Sequence, residues 1–196
     1  EAYNQMNARL VVKLASELDL SDAQISNGLQ AFNQIPGRME EIVTKEKFRV
    51  VVDFAHTPDG LKAALSALRE QLNSQKKPGR LIAVFGCAGL RDVGKRPVMG
   101  RQAAELADLS VFTAEDPRTE NIWTILRQMK SELGNNHGKV LSIADRYQAI
   151  KFTLQQLAKP GDLVAILGKG HEKSMCYGTT EYPWSDQNTV REVLGA

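Results

Sequence analysis

From Phe48 onward, short unbroken apolar runs alternate with longer stretches whose apolar residues recur every three or four positions. The runs are Val50-Val51-Val52, Leu81 to Phe85 and Leu163 to Leu167, and Leu109 to Thr113 and Val140 to Ile143 read as further strands. A strand that is apolar at every position must be covered on both faces, which is the habit of parallel sheets. Parallel neighbours need a crossover, and the intervening stretches supply it. Pro58 opens a helix with Leu61, Ala64, Leu65 and Leu68 on one side. Further helices are expected around Val98 to Ala107, Ile122 to Leu133, Asp145 to Leu157, and from Ser185 or Asp186 to Leu194. Met39 to Thr44 and Phe48 to Phe54 read as a hairpin, and Thr180 to Tyr182 as a short strand. The expected class is α/β: a mostly parallel sheet with helices on both faces. Functional groups on such a sheet gather in loops beyond the carboxyl ends of the strands. Those loops begin near Asp53, Gly86, Ala114, Ala144 and Gly168.

The segment before this pattern differs. Residues 3 to 19 and 22 to 34 have helical periodicity and no strand, and Ile35-Pro36-Gly37-Arg38 ends it. Two helices alone have little to bury against, so residues 1–37 read as the end of a domain whose body is missing and 38–196 as a second domain. Among 196 residues, 25 Lys and Arg face 23 Asp and Glu, a net charge of +2. That balance gives no drive towards nucleic acid or a membrane surface. No apolar run approaches the roughly 20 residues that span a bilayer, and the first ten residues do not read as a signal peptide. Two cysteines are too few for a disulfide framework or a cysteine metal site. A reducing cytosol, hence a cytoplasmic location, is the simplest setting.

Four strand-end loops carry unusual combinations. In Asp53-Phe54-Ala55-His56-Thr57-Pro58, the carboxylate could accept hydrogen bonds from two sugar hydroxyls and His56 could meet a phosphate or base; the plainer reading is that Asp53 caps its own loop. Gly86 to Pro97 has three glycines and the cations Arg91, Lys95 and Arg96, a combination suited to phosphate or carboxylate. It matches neither GxGxxG nor GxxxxGK[ST]. Glu115-Asp116-Pro117-Arg118-Thr119-Glu120 could bind an amino acid zwitterion, with Arg118 gripping a carboxylate, or could simply cap the next helix. Gly168-Lys169-Gly170-His171-Glu172 could present a carboxylate to an ammonium group; it is not HExxH, so zinc is not implied. No nucleophilic triad is recognisable.

In this order the loops resemble the Mur ligase family, in particular its UDP-N-acetylmuramyl-tripeptide synthetase branch. Tyr3 to Ala8 resembles the family's asparagine-rich helix start and Ile35 to Glu40 its V-P-G-R-M-E junction. Asp53 to Pro58 resembles D-Y-A-H-T-P, Gly86 to Gly100 the G-C-G-G-x-R-D-x-G-K-R-P-x-M-G loop, Gly168 to Glu172 G-K-G-H-E, and Trp184-Ser185-Asp186 F-S-D. The resemblance implies a Rossmann-like three-layer sandwich forming the carboxyl-terminal domain of an ATP-dependent ligase. Such an enzyme joins a diamino acid, meso-diaminopimelate or L-lysine, to UDP-N-acetylmuramyl-L-alanyl-D-glutamate. It implies ATP and Mg2+ as cofactors, with the metal ligands in a central domain absent here, and no ligation by this fragment alone. Carried over residue by residue, it assigns Asn4, Asn7, Arg38, Asp53 and His56 to the nucleotide. It assigns Arg91, Glu115, Asp116, Arg118, Gly168 and Glu172 to the diamino acid. The sequence departs at Glu115-Asp116, where the diaminopimelate pattern has aspartate and asparagine. Asp116 is expected to disfavour a nearby substrate carboxylate and favour an ammonium, whereas Arg118 argues for a second carboxylate. A folylpolyglutamate or cyanophycin synthetase-like domain and a non-catalytic binding module are the alternatives.

Overall fold

A computed structural model describes residues 2–32 and 34–195, the side chains of residues 2–5 excepted. The chain divides into two compact units, one ending at Ile35 and the other starting at Pro36. The first holds α1 (Ala2–Glu17) and α2 (Asp22–Ala31). A reciprocal capping box starts α2: the Ser21 hydroxyl accepts from the Gln24 N–H while the Gln24 side chain accepts from the Ser21 N–H. Leu10, Val11 and Leu14 are exposed along α1, and Leu18 in the turn after it.

The second unit is built on a six-stranded sheet in the order β1-β2-β6-β3-β4-β5. Its strands are β1 (Glu40–Ile42), β2 (Arg49–Asp53), β3 (Leu81–Phe85), β4 (Leu109–Phe112), β5 (Val140–Ser142) and β6 (Leu163–Leu167). Only β1 is antiparallel, as the expected hairpin with β2, pairing Glu40 with Val52 and Ile42 with Val50. The other four pairings are parallel. The two-residue period of a strand splits the apolar runs into two cores. Leu163, Ala165 and Leu167 of β6 join Leu81, Ala83 and Phe85 on one face. Val164 and Ile166 join Val50, Val52, Ile82 and Val84 on the other.

Helices cover both faces. α3 (Pro58–Asn73), α4 (Lys95–Leu106) and α5 (Ile122–Met129) close the first core. Leu61, Leu65, Leu68 and Leu72 of α3 are fully buried there, each burial stabilising the fold by about 2 kcal/mol. α6 (Arg146–Phe152), which runs into a π turn at Thr153–Leu157, and α7 (Asp186–Leu194) close the second. The three-layer α/β sandwich and the two leading helices expected from the sequence are therefore present. α4 begins three residues before the expected Val98. Pro97 lies in its first turn, where a missing N–H costs no helical hydrogen bond, so it does not break the helix. Leading into α7 is a two-stranded ribbon of β7 (Ser174–Tyr177) and β8 (Thr180–Pro183). The sequence reading found β8 and not β7.

Gly100 marks the closest approach of α4 and α5: a Cβ built there would stand 1.8 Å from the Met129 carbonyl oxygen. Helix propensity alone favours alanine over glycine by about 1 kcal/mol, but the clash reverses that sign. Gly100→Ala is expected to destabilise the fold by about 2 kcal/mol, measured by urea unfolding. Equal or greater stability would refute the close packing.

Candidate functional site

The loop after β2 is fixed by Asp53. Its Oδ1 accepts from the Ala55 N–H at 2.8 Å and its Oδ2 from the Met39 N–H at 2.8 Å. The carboxylate thus ties the strand end to the chain entering the sheet. Phe54 packs between His56 and His171, at centroid distances of 4.3 and 4.9 Å, and the Arg38 guanidinium lies 4.7 Å from its ring centre. Gly37 packs so tightly on the loop after β6 that a Cβ would stand 2.1 Å from the His171 nitrogen. This requirement explains the glycine of the Pro36-Gly37-Arg38 junction.

The loop after β3 sorts its three cations into different places. Arg96 is fully buried and binds Glu120 through both carboxylate oxygens, at 2.5 and 2.8 Å, as well as the Ala88 carbonyl. Glu120 is held down to a pKa of about 2, chiefly by this Arg96 contact. Lys95 donates to the His56 carbonyl at 2.7 Å. Only Arg91 stays exposed, and among the described residues no hydrogen bond or ion pair engages its guanidinium. The expected trio of cations around one ligand is therefore reduced: Arg96 is structural.

The loop after β4 carries Glu115, Asp116 and Arg118. Both Asp116 and Arg118 have positive φ, 42° and 52°, a strained choice for side-chain-bearing residues. The β7–β8 ribbon holds them there. The Arg118 N–H donates to the Cys176 carbonyl, the Gly178 N–H to the Arg118 carbonyl, and the Cys176 N–H to Asp116 Oδ1. Arg118 also donates to the Gly89 carbonyl at 2.8 Å. Of the two expected helix starts, Thr119 and Asn121, it is Asn121 that caps α5, accepting from the Trp123 and Thr124 N–H groups.

The loop after β6 inserts a nearly inaccessible lysine, 1 % exposed, between Asp116 and its own Glu172. Lys169 Nζ lies 2.7 Å from Asp116 Oδ1 and 2.6 Å from Glu172 Oε2. The expectation that Asp116 stands as an unbalanced negative charge is thereby corrected, since its carboxylate is already engaged by an ammonium. Glu115, only 6 % exposed, packs against Gly168, and its Oε2 has no hydrogen-bond partner among the described residues. Burial pushes its pKa up to about 7, opposed by Lys95, Arg146 and Lys169.

These loops enclose one cleft of about 440 Å³ at the carboxyl ends of the strands, with Arg91, Glu115, Asp116, Arg118, Glu172 and His56 on its wall. Gly168 is buried behind Glu115 and does not line it. Asp53 and Arg38 lie outside it, at the junction with β1. Asn7 is exposed in the first unit, and the side chain of Asn4 lies outside the described residues. A larger cavity, about 680 Å³, opens beside Trp184 and Arg191 and contains none of the residues assigned from the sequence to the nucleotide or the diamino acid. Among the described residues no group of three or more His, Cys, Asp or Glu is placed to hold a metal ion, and no helix is long and apolar enough to cross a membrane.

Sequence reasoning missed the pair that aligns two of the loops. Arg146 and Asp186 are fully buried and joined by two hydrogen bonds, 2.8 and 2.7 Å. The same guanidinium donates to the Ala114 and Leu167 carbonyls at the ends of β4 and β6. Forty positions separate the pair, and locally each reads as an ordinary helix-start residue.

Fold and cleft define a doubly wound α/β domain with a charged ligand cleft at its strand ends. Residues 37–170 match the family described as Mur ligase, glutamate ligase domain, and the chain belongs to that family. It is 42 % identical over 193 residues to a UDP-N-acetylmuramoyl-L-alanyl-D-glutamate--2,6-diaminopimelate ligase of Gloeobacter violaceus, covering 98 % of this chain and 38 % of that protein. The solved structure of a ligase of that same description superposes with a TM-score of 0.74 at 34 % identity, over 93 % of this chain and 36 % of the other. A bifunctional folylpolyglutamate synthase/dihydrofolate synthase of Yersinia pestis superposes with a TM-score of 0.58 at 26 % identity, over 81 % of this chain and 34 % of the other. The chain thus spans little more than a third of the curated relatives' length.

The raised Glu115 pKa has a signed consequence. Between pH 4.5 and about 7 the unfolded chain has released this proton while the folded chain keeps it. The resulting stabilisation is complete below pH 4.5 and is lost as pH rises through 7. Glu115→Gln is expected to remove this decline from urea midpoints measured between pH 4.5 and 8. An unchanged pH profile would show that Glu115 titrates normally.

Proposed function

We propose that the chain is the carboxyl-terminal domain of a cytoplasmic, ATP-dependent ligase that adds meso-diaminopimelate to UDP-N-acetylmuramyl-L-alanyl-D-glutamate in peptidoglycan precursor synthesis. The observation that carries this reading is the single cleft shared by Arg91, Glu115, Asp116, Arg118 and Glu172, residues from three separate loops. The relatives' description as 2,6-diaminopimelate ligases points to the same substrate. In this reading Arg91 takes the α-carboxylate of the incoming amino acid, and its unengaged guanidinium suits that task. Arg118 takes the far carboxylate, while Glu172 and Glu115 receive the far ammonium.

Residues 1–37 would be the last helices of a central ATPase domain, a role consistent with the exposed apolar side chains along α1. Arg38, Asp53 and His56 would face the nucleotide. Asp53 fits a ribose: its two carboxylate oxygens each hold one backbone N–H and retain acceptor capacity for hydroxyls. Bound ATP would supply the phosphoryl group that activates the muramyl dipeptide's carboxylate, leaving ADP, with Mg2+ neutralising the phosphate charge. The metal's ligands are assigned to the central domain. This domain's task is to orient the attacking amine, and closure of the two domains would complete the site.

Phosphate release by the full-length ligase is expected to require both the muramyl dipeptide and the diamino acid. Arg91→Ala should raise KM for the diamino acid about tenfold or more, the effect of losing about 1.4 kcal/mol or more of binding, and leave kcat within a few-fold. Release independent of any diamino acid would overturn the ligase reading. An unchanged KM would remove Arg91 from the site.

A further inference from the structure

We infer that Lys169 sets the charge of the cleft wall, so that the site prefers a diamino acid with a zwitterionic far end over one ending in a bare ammonium. The inference rests on the ligase reading above and deepens it. Lys169 does not line the cleft; it acts through Asp116 and Glu172, which do. It is therefore a positioning residue. Its ammonium is within 2.7 Å of a carboxylate oxygen on each. On the other side of Asp116, the Arg118 guanidinium lies 3.7 Å from Oδ2. Two carboxylates thus face two cations, and the quartet is neutral. A neutral wall with Arg118 at one end and Glu172 at the other complements a group that carries one carboxylate and one ammonium. Without the Lys169 ammonium the remaining three groups would carry one net negative charge at short range in a partly desolvated site, where such a charge is weakly screened. It would repel the far carboxylate of meso-diaminopimelate and attract the far ammonium of L-lysine. Asp116 is tolerable beside a substrate carboxylate because Lys169 balances it.

The test compares kcat/KM for meso-diaminopimelate and for L-lysine in the full-length ligase. Lys169→Met is expected to lower the diaminopimelate-to-lysine ratio about tenfold, the factor that 1.4 kcal/mol of differential interaction produces. Asp116→Asn leaves the wall with an extra positive charge and should move the ratio the opposite way. The double variant Lys169→Met/Asp116→Asn restores neutrality and should return the ratio to within about threefold of the parent, or roughly 0.7 kcal/mol. Lys169→Arg should keep the parental ratio. If Lys169→Met fails to fold, the opposite shift in Asp116→Asn and the parental ratio in the double variant still decide the matter. A parent that uses neither diamino acid would refute the ligase reading. An active parent whose ratio is the same in Asp116→Asn and in the double variant would refute the role of Lys169 alone.

Discussion

The ion pair of Arg146 and Asp186 sits where the cleft-bearing loops leave the sheet, and their alignment depends on it. Neither side chain is exposed to solvent. Burying both charges is costly, and such a pair adds little net stability even with good geometry. Removing one partner is a different matter, because an uncompensated charge in the core costs about 3–5 kcal/mol. The arrangement has a geometric return. Arg146 takes the Ala114 and Leu167 carbonyls as well as Asp186, so the last carbonyls around β4 and β6 converge on one rigid, planar group. The loop holding Glu115 to Arg118 and the loop holding Gly168 to Glu172 leave the sheet from those points. Trp184 adds a hydrogen bond to Asp186 at 2.9 Å and so links the start of α7 to the same centre.

From that anchor the loops are tied to one another by groups with little freedom. Glu120 joins the loops after β3 and β4 through Arg96 and the Leu90 N–H. The Gly89 N–H donates to the Asp116 carbonyl, and Arg118 donates to the Gly89 carbonyl. The β7–β8 ribbon holds the two positive-φ residues from the far side. Backbone strain of about 1–3 kcal/mol per residue persists only where surrounding bonds over-determine the conformation, as they do here. Arg91 is the exception. It stays exposed and unengaged, as suits a group reserved for a ligand, whereas the wall opposite it is already charge-balanced.

Much of the fold was legible because parallel strands buried on both faces leave an unmistakable apolar run. Val50 to Val52, Leu81 to Phe85 and Leu163 to Leu167 all became central strands. Amphipathic spacing and caps located most helices. β7 left no comparable signal: Ser174 to Tyr177 is short and mixed, and only its pairing with β8 defines it. The candidate site was legible as loop motifs and not as a network. Arg96, Arg146 and Lys169 are cations that sequence alone presents as surface residues, and Glu120, Asp186 and Asp116, which they bind, lie 24 to 53 positions away. Burial turns them into structural groups, and burial is a property of the assembled sheet. The charge attributed to Asp116 failed for the same reason, since nothing local announces that Lys169 reaches it.

The central claim is that one strand-end cleft receives the amine-bearing substrate. It is tested most directly by a structure of the full-length ligase with meso-diaminopimelate bound. The amino acid should lie in the 440 Å³ cleft, with one carboxylate on Arg91, the other on Arg118 and its far ammonium near Glu172. A diamino acid seated in the cavity beside Trp184 and Arg191, or touching none of those three residues, would contradict it.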